Sequence, residues 1–180
     1  MKKKNLVGLY VGRFQPPHNG HVYAIMNLLN KVNELIIGLG SAQHSHEINN
    51  PFTTSERFTM LRLALDEARV DRRRYMIIPL PDTDMHSLWV AQLLAYAPEF
   101  DVAFSNEALT SRLLKERNFK VLSIPFLERK KYHATTIREK MLSDNSWEEL
   151  VPRSVAAHIK RIGGVERIRD LNRTDKPKLP

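Results

Sequence analysis

The sequence predicts an α/β fold of Rossmann type, a doubly wound parallel sheet of about five strands with a helical C-terminal part. Three observations predict it. Short, apolar, β-prone runs alternate with longer segments of helical periodicity five times along the 180 residues. The short runs are apolar throughout, as strands covered by helices on both faces are. The composition, 42% hydrophobic and 27% charged, is that of an ordinary globular chain.

The first strand is Leu6-Val7-Gly8-Leu9-Tyr10-Val11. Gly12 to Pro17 must be a loop, because Pro16 and Pro17 withhold two backbone donors. Asn19 is placed to cap a helix over 20–31, with Val22, Ile25, Met26 and Leu29 on one face. Residues 34–39 form a second apolar run, and 40–51 a polar loop. Thr53 and Glu56 have capping-box spacing, opening a helix whose stripe is Phe58, Leu61, Leu65 and Ala68. A third strand is expected over 75–80, a helix over 86–96 and a fourth strand over 101–104. Another helix at 107–117 and a strand at 120–124 follow. After a basic loop at Arg129, Lys130 and Lys131, helices are expected at 135–143, 147–150 and 154–162. The sequence thus divides into one domain over 1–171, helical from 135 onward, and a disordered basic tail over 172–180.

Charge and composition exclude several classes. The net charge is +8, but Lys2, Lys3, Lys4 and the segment around Lys176 and Lys178 hold most of the excess. The body is therefore mildly basic, which suits a small anion such as a nucleotide better than a nucleic acid. No apolar run approaches membrane-spanning length, and no signal-peptide pattern opens the chain. The absence of cysteine removes disulfides, thiolate zinc sites and a Cys nucleophile, and a cytoplasmic location is expected.

In a doubly wound sheet the ligand lies beyond the carboxyl ends of the strands, so the loops after strands carry the chemistry. The loop after the first strand is Gly12-Arg13-Phe14-Gln15-Pro16-Pro17-His18-Asn19-Gly20-His21. A helix start offers free amides and a positive dipole end to an anion. His18 and His21 stand three apart at that start, able to donate to phosphate oxygens, with Gly20 leaving space and Arg13 adding a charged fork. Two other readings stand beside this one: a polar surface pair, or zinc ligands together with His44 and His46. The zinc reading lacks an HExxH pattern and any thiolate. Neither a Walker loop nor a GxGxxG fingerprint occurs.

This run resembles the HxGH signature of the nucleotidyltransferase superfamily. Four further blocks resemble archaeal-type nicotinamide-nucleotide adenylyltransferases: residues 38–46, 50–57 and 88–90, and Gly164-Val165-Glu166-Arg167. Tyr132 to Arg138 lies where that family carries its second signature. The resemblance implies condensation of ATP with nicotinamide mononucleotide to NAD and pyrophosphate, by direct attack of the acceptor phosphate on the ATP α-phosphorus. It implies catalytic roles on phosphate for His18, His21, Arg13 and Arg138. ATP would be held by Gly12, Phe14, Gln15, Gly20, Thr135, Thr136 and Ile137, although Thr135 is equally placed for a simple helix cap. The acceptor would meet Ser41, Gln43, Asp82, His86 and Trp89, with Trp89 stacked on the nicotinamide. A half-buried helix tryptophan is the plain alternative for Trp89. Mg²⁺ is expected on the ATP phosphates, without a protein metal site. A homo-oligomer, in hexameric form, is also implied, with no nucleic-acid or membrane partner.

Some positions depart from the family pattern. His86 stands for a common Asn, Asn49 for Arg or Lys, Ser105-Asn106-Glu107 for Ser-Gly-Asn, and His133-Ala134 for a Ser-Gly-like pair. These departures are expected on the acceptor side, leaving the ATP chemistry intact. They keep two alternatives in view: the same chemistry on a flavin or pantetheine phosphate, or a nucleotide-binding module without catalysis.

Overall fold

The fold is described by a computed structural model over residues 5–128, 131–143 and 146–173. The basic residues Lys2, Lys3, Lys4, Arg129 and Lys130, and the expected tail from 174 onward, lie outside the described residues.

The strands are β1 (Val7–Gly12), β2 (Glu34–Leu39), β3 (Tyr75–Pro79), β4 (Val102–Phe104) and β5 (Lys120–Leu122). They form one parallel sheet in the order β3-β2-β1-β4-β5. The helices are α1 (Asn19–Leu29), α2 (Thr54–Glu67), α3 (Trp89–Tyr96), α4 (Ala108–Glu116), α5 (Ala134–Leu142), α6 (Arg153–Arg161) and α7 (Gly164–Leu171). The strand order reverses at β1, so the chain leaves β1 and β4 in opposite directions and opens a crevice above their carboxyl ends.

The two-residue period of the strands sorts their side chains to two faces. Tyr10, Leu35, Ile37, Leu39, Val102 and Phe104 join a cluster with Ile25 and Leu28 of α1 and Leu61 and Leu65 of α2. Leu9, Ile36 and Ala103 point the other way, against Val90 and Leu93 of α3 and Leu114 of α4. A third cluster joins Met60 and Ala64 of α2 to Phe52 and to Ile137, Val155, Ile159 and Ile168 of the C-terminal helices. Helix α2 is therefore buried on two sides, between the sheet and the C-terminal helices.

Several helical expectations shift. The cap of α1 is His18, not Asn19, and Met26 is exposed while Ala24 and Leu28 are buried. The buried stripe of α2 is Arg57, Met60, Leu61, Ala64 and Leu65; Phe58 lies outside it. A 3₁₀ turn over His86–Leu88 precedes α3, and another over Glu148–Leu150 precedes α6. Helix α7 has no counterpart among the expected elements, because Gly163-Gly164 reads as an ending. Gly163 makes a left-handed turn at φ 64°, and a Cβ on Gly164 would lie 2.8 Å from the Phe52 ring. The pair therefore breaks the helix and presses its second half against the core. Asn172 closes α7 at Leu171 by donating to the Ile168 carbonyl (2.8 Å), and Arg173 pairs with Asp170 (2.9 Å).

Ile37 is fully buried in the central layer. Ile37→Ala is expected to lower unfolding stability by about 2–5 kcal/mol in urea titration, through lost transfer energy and the cavity left behind. An unchanged midpoint would contradict the packing described.

Candidate active site

The site begins where β1 ends. Phe14 turns the chain with a left-handed φ of 51° and packs its ring 4.7 Å from His21 and edge-on to Tyr10. The Gln15 amide donates to the Phe52 carbonyl (2.9 Å) and accepts from the Phe52 N–H (3.0 Å). These contacts hold the loop against the start of α2 and bring His18 to the start of α1 in an extended conformation.

His18 and His21 then cap each other. The His21 N–H donates to His18 Nδ1 (3.2 Å), and the His18 N–H donates to His21 Nδ1 (3.3 Å). Their rings stack 3.6 Å apart. This is a capping box built from two imidazoles, and it fixes both tautomers. A nitrogen that accepts carries no proton, so each neutral ring holds its hydrogen on Nε2. Burial, then His133 nearby, pushes His18 down to about 3. Burial, then His18 and His133, holds His21 well below the imidazole range. The pair therefore stays neutral at physiological pH and offers two oriented N–H donors. A Cβ on Gly20 would lie 2.9 Å from Tyr132 Cβ and 3.1 Å from His18 Nδ1, so only glycine fits between α1 and the segment leading to α5.

Two cavities lie side by side over the crevice. One, of about 330 Å³, is lined by His18, Gly20, His21, Asn106, Tyr132 and His133 among others. The other, of about 300 Å³, is lined by Gly12, Arg13, Ser41, Asp82, Trp89 and Thr110 among others. Val11, Ser105 and Glu107 line both. A further recess beside Trp89, of about 350 Å³, holds His86, Thr83 and Asp82. The arrangement suits two ligands that meet along a shared wall.

Arg57 was not among the expected site residues. It is fully buried at the first turn of α2. Nη1 donates to the carbonyls of Arg13 (2.8 Å) and Gly40 (2.7 Å), and Nη2 to the Ser41 carbonyl (3.0 Å) and Thr54 Oγ1 (3.1 Å). Burial pushes its guanidinium down to about 10, with Asp82 opposing and Arg13 adding to the shift. It remains charged at pH 7 and ties the loop after β1 to the loop after β2. Its signal was present in the sequence: Met60, Leu61, Ala64 and Leu65 extrapolate back by helical spacing to position 57.

The other expected residues divide. The Asp82 carboxylate accepts from the Ser41 N–H (3.2 Å), and the Asp82 N–H donates to Gln43 Oε1 (2.9 Å). The Gln43 amide thus closes the loop rather than lining either cavity. Arg138 is buried, donating from Nη1 to the Gln15 carbonyl (2.9 Å); Nη2 makes only 3.4 Å contacts with Asn49 Oδ1 and Thr135 Oγ1 and keeps spare donors. Burial, then Arg13, holds its pKa down. Helix α5 starts at Ala134 with His133 as its cap, so Thr135 lies inside the first turn and is not the cap. Thr136 sits beside it, half-buried. The side chains of Phe14, Gln15 and Ile137 face the core, and the Ile137 N–H donates to the His133 carbonyl (3.0 Å). The Asn106 amide is engaged with both backbone groups of Ile124. The Glu107 carboxylate caps α4 through the Leu109 and Thr110 amides, which with His86 holds its pKa down. Asn106, Glu107 and His133 all line the histidine cavity, so these departures do not lie on the Trp89 side alone.

The zinc reading finds no geometry. His44 pairs with Glu47 (2.8 Å) and His46 with Ser45 (3.1 Å), away from the stacked pair. Among the described residues no three His, Cys, Asp or Glu side chains converge to hold a metal ion.

Two outcomes follow from this chemistry. An imidazole kept neutral in the fold takes up a proton on unfolding below its ordinary 6.5. Stability is therefore complete above that value and is lost as the pH falls toward the depressed folded values. The expected slope is about 1.4 kcal/mol per pH unit for each such imidazole. His158, held low by burial and then by Arg161, adds to the loss. Urea unfolding at pH 7 and pH 5 reads it, and equal midpoints would contradict neutral histidines. Arg57→Lys keeps the charge but loses the fork, leaving buried carbonyls without donors. A loss of about 2–4 kcal/mol is expected in the same assay, and no loss would remove Arg57 from this role.

A family model described as cytidylyltransferase-like matches residues 9–140. A nicotinamide-nucleotide adenylyltransferase of Thermococcus sibiricus is 47% identical over 173 residues, 94% of this chain and 93% of that one. The protein of that name from Archaeoglobus fulgidus is 49% identical over 170 residues, covering 92% and 97% of the two chains. The crystal structure of a bifunctional NMN adenylyltransferase/ADP ribose pyrophosphatase from Francisella tularensis has the same fold, with a TM-score of 0.77 at 20% identity. It matches 93% of this chain, which spans 52% of that longer protein, about half. By sequence and by fold, the chain belongs to the nicotinamide-nucleotide adenylyltransferases, within the cytidylyltransferase-like family.

Proposed function

We propose that the chain condenses ATP with nicotinamide mononucleotide, giving NAD and pyrophosphate. One observation carries the mechanism: two adjoining cavities share Val11, Ser105 and Glu107, one furnished with paired imidazole donors and the other with Trp89 and Asp82. Relatives of 47–49% identity, matched over nearly their whole length, are named for this activity.

ATP takes the histidine cavity, its triphosphate over the start of α1. The mononucleotide takes the other, its pyridinium on the Trp89 indole, where a cation is attracted to an aromatic face. An oxygen of the acceptor 5′-phosphate attacks the α-phosphorus in line. The new P–O bond forms as the bond to the bridging oxygen breaks, and pyrophosphate leaves with the electron pair. No side-chain nucleophile is required, and the chain has no cysteine. The chain's own contribution is positioning and charge stabilisation. The Nε2–H groups of His18 and His21 meet phosphate oxygens, Arg13 lies at the reacting end of the acceptor cavity, and the spare donors of Arg138 reach the departing phosphates. Gly20 leaves the backbone approach open.

We place a divalent ion, Mg²⁺, on the triphosphate itself, where phosphate oxygens are its ordinary ligands. A structural relative from Francisella tularensis was crystallised with AMP and a manganese ion. Among the described residues no helix is long and apolar enough to cross a membrane, and we place the enzyme in the cytoplasm. A homo-oligomer, in hexameric form, completes the proposal; light scattering on the purified chain tests it, and a monomer would refute it.

Pyrophosphate release with ATP, a divalent ion and nicotinamide mononucleotide tests the reaction. Release is expected only when both nucleotides are present, and its absence from folded protein contradicts the reading. His21→Gln keeps an acceptor for the His18 N–H but displaces the ring donor, and kcat is expected to fall about 100-fold or more. Trp89→Ala is expected to raise the acceptor KM about tenfold, with the ATP KM unchanged.

A further inference from the structure

The histidine cavity contains a third imidazole. His133 caps α5 with extended backbone, φ −129° and ψ 131°, yet its side chain makes no capping bond. The ring lines the same cavity as His18 and His21 and lies close enough for a charge on it to be felt at both. The two differ from it in kind. Each member of the stacked pair has its Nδ1 occupied by a backbone N–H, so it donates once and stays neutral. Arg138, buried on α5, already commits Nη1 to the Gln15 carbonyl. No hydrogen bond among the described residues engages the His133 ring, which is exposed. Among the described residues no Lys or Arg lines this cavity. His18 and His21 face it from α1, Tyr10 from β1, and Tyr132 from its own segment. Lys131 leans over the Tyr132 ring and toward Glu128. Glu107, on the opposite wall, turns its carboxylate into the α4 amides.

We propose that His133 is a third phosphate-contacting imidazole, the one in this cavity whose ring no other group among the described residues engages. The proposal rests on ATP occupying the histidine cavity. It divides the work: the stacked pair supplies donors fixed before any ligand arrives, and His133 supplies a ring free to turn toward the phosphates. The uncapped amides at the start of α5 lie beside it and favour the same anion.

Calorimetric titration of the whole chain with ATP and magnesium tests this, with adenosine as the probe that lacks phosphate. His133→Ala is expected to weaken ATP about five- to tenfold, with adenosine binding unchanged. His133→Asn, which keeps a good helix cap, is expected to lose as much, which separates phosphate contact from capping. His133→Arg, which keeps a donor to phosphate, is expected to stay near the parent chain. ATP affinity within twofold of the parent for the Ala and Asn variants overturns the proposal, as does an equal loss for adenosine. Failure of the parent chain itself to bind ATP overturns instead the reading on which the proposal rests.

Discussion

A buried guanidinium without a carboxylate partner governs this site. Taking a charge out of water costs several kcal/mol unless hydrogen bonds replace the hydration shell. Arg57 finds them only if the loops after β1 and β2 adopt one conformation, presenting the carbonyls of Arg13, Gly40 and Ser41 together. Among the described residues the carbonyls of Arg13 and Gly40 have no other donor and need Arg57 equally, whereas that of Ser41 also accepts from the His44 N–H (3.1 Å). The requirement is mutual, so the two loops are rigid at the point where a ligand must find donors already in place. The Glu56–Arg167 pair beside it, at 2.7 and 2.8 Å, clips α7 onto the same turn and explains why α7 matters to a site it does not line.

On that frame the stacked histidines solve a second problem. A helix start needs acceptors for its first amides, and an anion site needs donors there. A carboxylate cap would meet the first need and repel the anion. An imidazole meets both, because one ring nitrogen accepts while the other donates. Using each ring to cap the other fixes the direction of both donors before any ligand arrives, which is the form of preorganisation that costs no rearrangement during reaction. The ring of Phe14 against His21 and the missing side chain at Gly20 leave that arrangement no slack.

The fold was legible because strand and helix periods differ, and the five strands fall where apolar runs predict them. The capping box of Thr53 and Glu56 was equally legible, since its spacing is local. The errors have physical sources. Asn19 is a better cap than histidine by propensity alone, but only His18 can engage in the reciprocal bond with His21. Phe58 was assigned to the core by hydrophobicity, whereas the buried face of α2 is turned so that Arg57 enters it. Gly163-Gly164 marks both an end and a beginning, and nothing local announces the packing of Gly164 on Phe52. Within the site, the sequence points to the residue types but not to which of them face inward. Gln15 and Gln43 look like ligand-binding amides and are instead engaged by backbone 37 and 39 residues away in the chain.

The central claim is that both histidines are neutral, with their protons on Nε2. Nitrogen-15 spectroscopy of the ring nitrogens measures this directly in the ligand-free protein. The account predicts, for His18 and His21, Nδ1 shifts of an unprotonated acceptor and Nε2 shifts of a protonated donor, unchanged between pH 8 and pH 5.5. An Nδ1–H tautomer at either ring, or titration of either near 6.5, would contradict the reciprocal cap and the mechanism built on it.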